Sequence, residues 1–198
     1  MEHFFHKTIG EDWFTYPNLY SLVPKRFGEG AKFVEVGVWK GRSISYLAVE
    51  TINANKNQQI YAVDTWAGSE EHLNPTSQHY NFMMVNNPNW LYEVFLENTE
   101  PVKDIITPIR KPSLEAVNDF EDQSLDFIFI DAAHDYENVK ADILAWLPKV
   151  KKTGILAGHD YYPGDSVQIA VDEVLSSSKI ETPDNRTWMY DLNKWENG

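Results

Sequence analysis

The sequence predicts a doubly wound α/β domain, with a mostly parallel sheet of seven strands and helices on both faces. Three observations carry that expectation. Short runs rich in β-branched and aromatic residues alternate with segments whose apolar residues recur at helical spacing. The strand-like runs are almost wholly apolar instead of alternating, as strands covered on both faces must be. A length of 198 residues suits a single domain and leaves no room for a separate substrate domain.

Each element follows from its residues. Segment 32–38 (KFVEVGV) reads as the first strand, and Gly41 opens a helix in which Ile44, Leu47, Ala48, Thr51 and Ile52 share one face. Gln59–Asp64 reads as the second strand, 90–96 as a helix and 104–110 as the third strand. A short helix over 113–120 has Ser113 as its expected N-cap. Segment 125–131 (LDFIFID) is the most apolar strand, and 136–150 follows as a helix with Val139, Ile143, Trp146 and Leu147 on one side. A fifth strand is expected over 154–159 and a last helix over 167–175. Ile180 and 187–192 supply two terminal strands around the turn Pro183-Asp184-Asn185. Segment 65–89 is long and irregular for a compact domain, which marks it as a substrate lid. Residues 1–30 form an aromatic N-terminal cap segment within the one domain spanning 1–198; its WFTYPNLY stretch is read as a cover over the ligand pocket, a dimer contact or a helix packed on the sheet, with packing favoured.

Composition narrows the function. Apolar residues at 42% and charged residues at 24% describe an ordinary globular chain. The formal charge of −13 repels phosphate backbones, so no nucleic-acid partner is expected. Zero Cys excludes a disulfide scaffold, thiol catalysis and Cys-ligated metal. No apolar run approaches the roughly 20 residues that span a bilayer. The N-terminus lacks the basic start and apolar core of a secretion signal. The expectation is a cytoplasmic protein without a membrane partner. Homodimerisation stays open.

In an open α/β sheet, ligands bind beyond the carboxyl ends of the strands. Polar residues stand at every one of those ends: Glu35 and Gly37, Asp64, Arg110, Asp131 and His134, His159 and Asp160. In VEVGVWKGRS, Gly37 and Gly41 fit a tight turn that lets a ligand approach the backbone. Asp64, at the next strand end, is placed to accept hydrogen bonds from two ribose hydroxyls. An adenosine-containing ligand fits this pair, either a dinucleotide or S-adenosylmethionine. The absence of GxGxxG counts against a nicotinamide-dependent oxidoreductase, and the retained carboxylates count against a non-catalytic binding module.

VEVGVWKGRS, AVDTW and DFIFIDAAHDYENVKADILAWLPKVKKTGILAGHDY, in that order, resemble the class I S-adenosylmethionine-dependent methyltransferases, which are Rossmann-like. More narrowly they are similar to small stand-alone and macrolide-sugar O-methyltransferases, and distantly to catechol O-methyltransferase. Trp39 departs from the general motif, which has a glycine there. The resemblance implies that Glu35, Gly37, Val38, Trp39, Gly41 and Ser43 line the cofactor, that Asp64 holds its ribose, and that Thr65, Trp66 and Asp131 border it. Ser113 is implied near the adenine, although helix capping explains it equally well.

A small-molecule or sugar hydroxyl must lose a proton to accept a methyl group, and a general base or a divalent cation can assist. His134 is the expected base and Asp131 its catalytic neighbour. Asp131 and Asp160 could converge on Mg²⁺. His159 stands where metal-dependent relatives commonly have a carboxylate. It is read either as a ligand favouring Mn²⁺ or Fe²⁺, or as a hydrogen-bonding residue with no metal. His72 and His79, in the lid, are candidate substrate contacts.

Overall fold

The computed structural model describes residues 1–8, 11 and 13–195. Residues 9, 10 and 12 of the expected N-terminal segment, and residues 196–198, lie outside the described residues. The strands are β1 (Lys32–Val36), β2 (Gln59–Asp64), β3 (Ile106–Arg110), β4 (Leu125–Ile130), β5 (Val150–Gly158) and β6 (Trp188–Asp191). They form one sheet in the order β3-β2-β1-β4-β5-β6. All neighbours run parallel except β5 and β6, which are antiparallel. The main helices are α1 (Pro17–Arg26), α2 (Arg42–Ala54), α3 (Trp90–Thr99), α4 (Tyr136–Trp146) and α5 (Ser166–Leu175).

Burial on both faces explains why the strands read as unbroken apolar runs. Along β4 the side chains alternate between two cores: Phe127 and Phe129 join one, Ile128 and Ile130 the other. The first core is closed by Leu19, Tyr20 and Val23 of α1, by Ile44, Leu47 and Ala48 of α2, and by Phe95 of α3. The second is closed by Val139, Ile143 and Trp146 of α4 and by Ala170 and Val171 of α5. Burying each such side chain contributes on the order of 2 kcal/mol. Ile52, expected on the buried face of α2, is instead exposed.

The sheet among the described residues has six strands, not seven. Where Ile180 was expected to begin another, only an isolated bridge joins Glu181 to Met189. The reason lies just beyond it. Pro183 has no N–H to extend a ladder, and Asp184 turns the chain back through Thr187, whose hydroxyl meets the Asp184 backbone N–H at 3.0 Å and C=O at 2.8 Å. The first strand stops at Val36 because Gly37 enters the left-handed region at φ +85°. The 3-10 turn Glu100–Ile105 takes the start expected for β3, whereas β5 begins four residues earlier than expected, at Val150. The helix expected over 113–120 is one turn, Ser113–Ala116, followed by a 3-10 turn; Pro112 holds the N-cap position expected of Ser113. The long helix stops at Trp146, and a 3-10 turn completes it. Segment 65–89 holds two short helices, Glu70–Leu73 and Phe82–Asn86, the second capped by the Asn81 side chain. No helix among the described residues is long and apolar enough to cross a membrane.

Candidate active site

The order of strands reverses between β1 and β4, so a crevice opens beyond their carboxyl ends. Gly37 makes close contact across it possible. A Cβ at Gly37 would lie 2.1 Å from the backbone oxygen of Asp131, so no other residue fits beside the end of β4 without moving it. Gly41, also left-handed at φ +86°, starts α2 directly after the turn.

Asp64 organises that turn. Its Oδ2 accepts hydrogen bonds from Val38 N and Trp39 N, both at 3.0 Å, and its Oδ1 accepts from Trp66 N at 2.7 Å. Burial raises its pKa, against the lowering effect of these backbone donors. Trp39 and Trp66 both have φ near +50°, and the Trp66 indole N–H donates to Trp39 O at 3.0 Å. The Trp66 ring itself is fully buried against Tyr92 and Phe95. Its contribution to the crevice is therefore its backbone. The Trp39 ring lies 6.1 Å from Trp13 and 4.7 Å from His72. His72 and His79 are neighbours in turn, with ring centres 6.4 Å apart. Thr65 and its segment are held by Arg110, which donates to Thr65 O (3.3 Å), Asn89 Oδ1 (2.9 Å) and Pro88 O (3.1 Å).

Beneath the turn, Glu35 is wholly buried and accepts from Tyr20 Oη at 2.9 Å and from Ser43 Oγ. Burial pushes its pKa up to about 8, against the lowering effect of these two hydroxyl donors. Ser113 is committed elsewhere. Its hydroxyl donates to Asp142 Oδ1 at 2.5 Å and accepts from the Trp146 indole at 2.8 Å.

The ends of β4 and β5 bring together Asp131, His134, His159 and Asp160. His134 Nε2 lies 2.9 Å from Asp160 Oδ2, while His159 Nδ1 lies 3.4 Å from Asp160 Oδ1 and 3.8 Å from Asp131 Oδ1. Burial opposes charge on Asp160, but hydrogen bonds from the two imidazoles outweigh it and hold the carboxyl well below the usual range. Burial raises the pKa of Asp131. His159 is desolvated as well, yet the hydrogen bond to Asp160 and the two carboxylate charges leave its pKa raised. Asp131, His134 and Asp160 each offer a donor atom within 4.8 Å of the others, an oxygen–nitrogen set that fits a divalent cation.

A methyltransferase-domain family model matches residues 34–161, the stretch that holds every strand-end residue just described. The chain belongs to this methyltransferase family. Its fold is that of class I methyltransferases, and the oxidoreductase reading gains no support. The chain is 28% identical over 142 residues to the uncharacterized protein y4gI of Sinorhizobium fredii, covering 72% of this chain and only 14% of that protein. Among solved structures it is similar to the O-methyltransferase NovP, with a TM-score of 0.65 and 16% identity over 88% of this chain and 78% of NovP. It is also similar to a putative O-methyltransferase from Klebsiella pneumoniae, with a TM-score of 0.58 and 14% identity over 93% and 84% of the two chains. A third likeness is to a putative Streptococcus mutans methyltransferase in complex with SAH, at TM-score 0.55 and 12% identity over 86% and 92%. At these identities the likeness concerns the fold.

The residues that sequence reasoning missed are Thr15, Tyr16 and Tyr20, which reach the strand ends from before and within α1. Their signal was present. Tyr16 and Tyr20 are one helical turn apart in the WFTYPNLY stretch, but an aromatic cluster at that spacing reads as packing.

Proposed function

We propose that the methyltransferase uses S-adenosylmethionine to methylate a hydroxyl of a small molecule or sugar. The observation that carries this reading is the contact between the Gly37 turn and the end of β4, which sets the His134–Asp160 pair and Asp131 beside the expected cofactor loop. The turn from Gly37 and Val38 through Trp39 and Gly41 would hold the methionine part, above Glu35 and Ser43. Asp64, with Thr65 and the Trp66 backbone, would border the ribose. Ser113 would meet the adenine through its backbone.

The reaction is an in-line displacement. The acceptor oxygen forms a bond to the methyl carbon as the carbon–sulfur bond breaks, and S-adenosylhomocysteine leaves with the electron pair. The acceptor proton goes to the His134 imidazole, which acts as the general base. Asp160 balances the resulting imidazolium. Asp131 orients the acceptor hydroxyl. A divalent cation, held by Asp131, Asp160 and His159 or His134, would when bound acidify the acceptor hydroxyl. Segment 65–89 would cover the acceptor, presenting His72 and His79 beside Trp39.

The test is transfer of radiolabelled methyl from S-adenosylmethionine to a panel of phenols and sugars. Wild type should label at least one acceptor class, and His134→Ala should lower turnover about 100-fold, the usual scale of a general base, with cofactor affinity intact. Full activity in His134→Ala would remove the imidazole from proton transfer.

A further inference from the structure

The N-terminal segment reaches three of the strand ends that form the site. Thr15 Oγ1 lies 2.8 Å from His159 Nε2, Tyr16 Oη donates to Asp131 Oδ2 at 3.1 Å, and Tyr20 Oη donates to Glu35. The segment is itself fixed. Asp184 accepts from the backbone N–H of Leu19 at 2.7 Å and of Asn18 at 3.3 Å, capping the start of α1 from the turn before β6. The next residue in that turn, Asn185, receives the Thr15 hydroxyl proton on its backbone oxygen at 3.2 Å.

That last contact places a proton on Nε2 of His159. A carbonyl oxygen only accepts, and a hydroxyl has one proton. Both Thr15 contacts are hydrogen bonds only if Thr15 donates to Asn185 and accepts from His159 Nε2–H. The other ring nitrogen, Nδ1, is thereby turned toward Asp131 and Asp160. His159 is only 7% exposed, so its ring has no room to exchange its two nitrogens for water. Tyr16 completes the arrangement: its hydroxyl holds Asp131, and its ring packs against Phe129 at 4.5 Å and His159 at 5.0 Å.

We infer that Thr15 and Tyr16 are positioning residues of the methyl-transfer centre, Thr15 by fixing His159 with Nδ1 facing the two carboxylates and Tyr16 by holding Asp131. The inference rests on the function proposed above for its purpose, and on hydrogen-bond geometry alone for its structure. An outer hydrogen bond of this kind sets the ring orientation of a ligating or proton-holding histidine, and its loss typically weakens metal binding 10–100-fold. The WFTYPNLY stretch is thus part of the site as well as part of the core.

Two isosteric variants test this, Thr15→Val and Tyr16→Phe, with Thr15→Ser as the restoring control. Long-range ¹H–¹⁵N spectra of the histidine rings read the proton on His159 Nε2 at constant pH. Mn²⁺ serves as the probe cation in a paramagnetic-resonance titration, and S-adenosylhomocysteine is titrated by calorimetry. Wild type and Thr15→Ser should show the proton on Nε2 of His159, and Thr15→Val should lose that signature. Both isosteric variants should bind Mn²⁺ about 10–100-fold more weakly while S-adenosylhomocysteine affinity stays at the wild-type level. Unchanged His159 ring signals in Thr15→Val, or wild-type Mn²⁺ affinity in both variants, would reduce the segment to packing. The ring signals decide the matter whether or not Mn²⁺ binds; failure of wild type to bind S-adenosylhomocysteine would instead overturn the methyltransferase reading.

Discussion

Glu35 carries an unusual burden for one side chain, a buried carboxyl whose pKa is raised by desolvation to about 8. A raised acid pKa means that the folded state binds more protons than the unfolded chain. Its contribution is therefore complete below the ordinary value of 4.5 and is lost as pH rises toward about 8. Stability measured by denaturant should fall across that window in wild type and flatten in Glu35→Gln, which keeps the shape and removes the titration. An unchanged slope would place the proton elsewhere. Asp64 differs in kind, because it accepts three backbone N–H groups and its loss frees the whole turn. Asp64→Ala should cost about 2 kcal/mol of stability, the scale of a lost charge-assisted hydrogen bond, as read from the denaturation midpoint. Both carboxylates were legible in the sequence, since polar residues at the ends of apolar strands stand out. The hydroxyls that hold Glu35 and Asp131 were not, because a tyrosine serves packing and hydrogen bonding with the same side chain.

At the scale of elements, β1 to β5 and the helices α2 to α5 follow the sequence closely, because apolar runs and helical spacing report burial directly. The missing seventh strand was illegible for a local reason: Ile180 carries strand propensity, but Pro183 and the Asp184–Thr187 hydrogen bonds turn the chain away after one bridge. Segment 65–89 was legible as long and irregular, while its two short helices were below the length at which periodicity speaks. Arg110 ties both ends of that segment, at Thr65 and at Pro88 and Asn89, and its guanidinium lies 5.0 Å from the centre of the Tyr92 ring. Arg110→Ala should therefore speed amide exchange within 65–89 while leaving β1 and β4 protected. Exchange that rises equally everywhere would show that Arg110 stabilises the fold at large.

For the whole molecule, the same property that defines the fold positions the site. Parallel strands bring Gly37, Asp64, Asp131 and His159 to one edge, and the reversal of order between β1 and β4 opens the crevice there. The formal charge of −13 suits a cationic sulfonium cofactor better than a phosphate-rich dinucleotide. The central claim is that this crevice takes S-adenosylmethionine, and the most direct test is calorimetric titration of wild type and Asp64→Ala with S-adenosylhomocysteine, with NAD as the control. The account predicts micromolar binding by wild type, binding at least about tenfold weaker by Asp64→Ala, equivalent to about 1.4 kcal/mol, and no heat from NAD. Binding of NAD with no response to S-adenosylhomocysteine would contradict it.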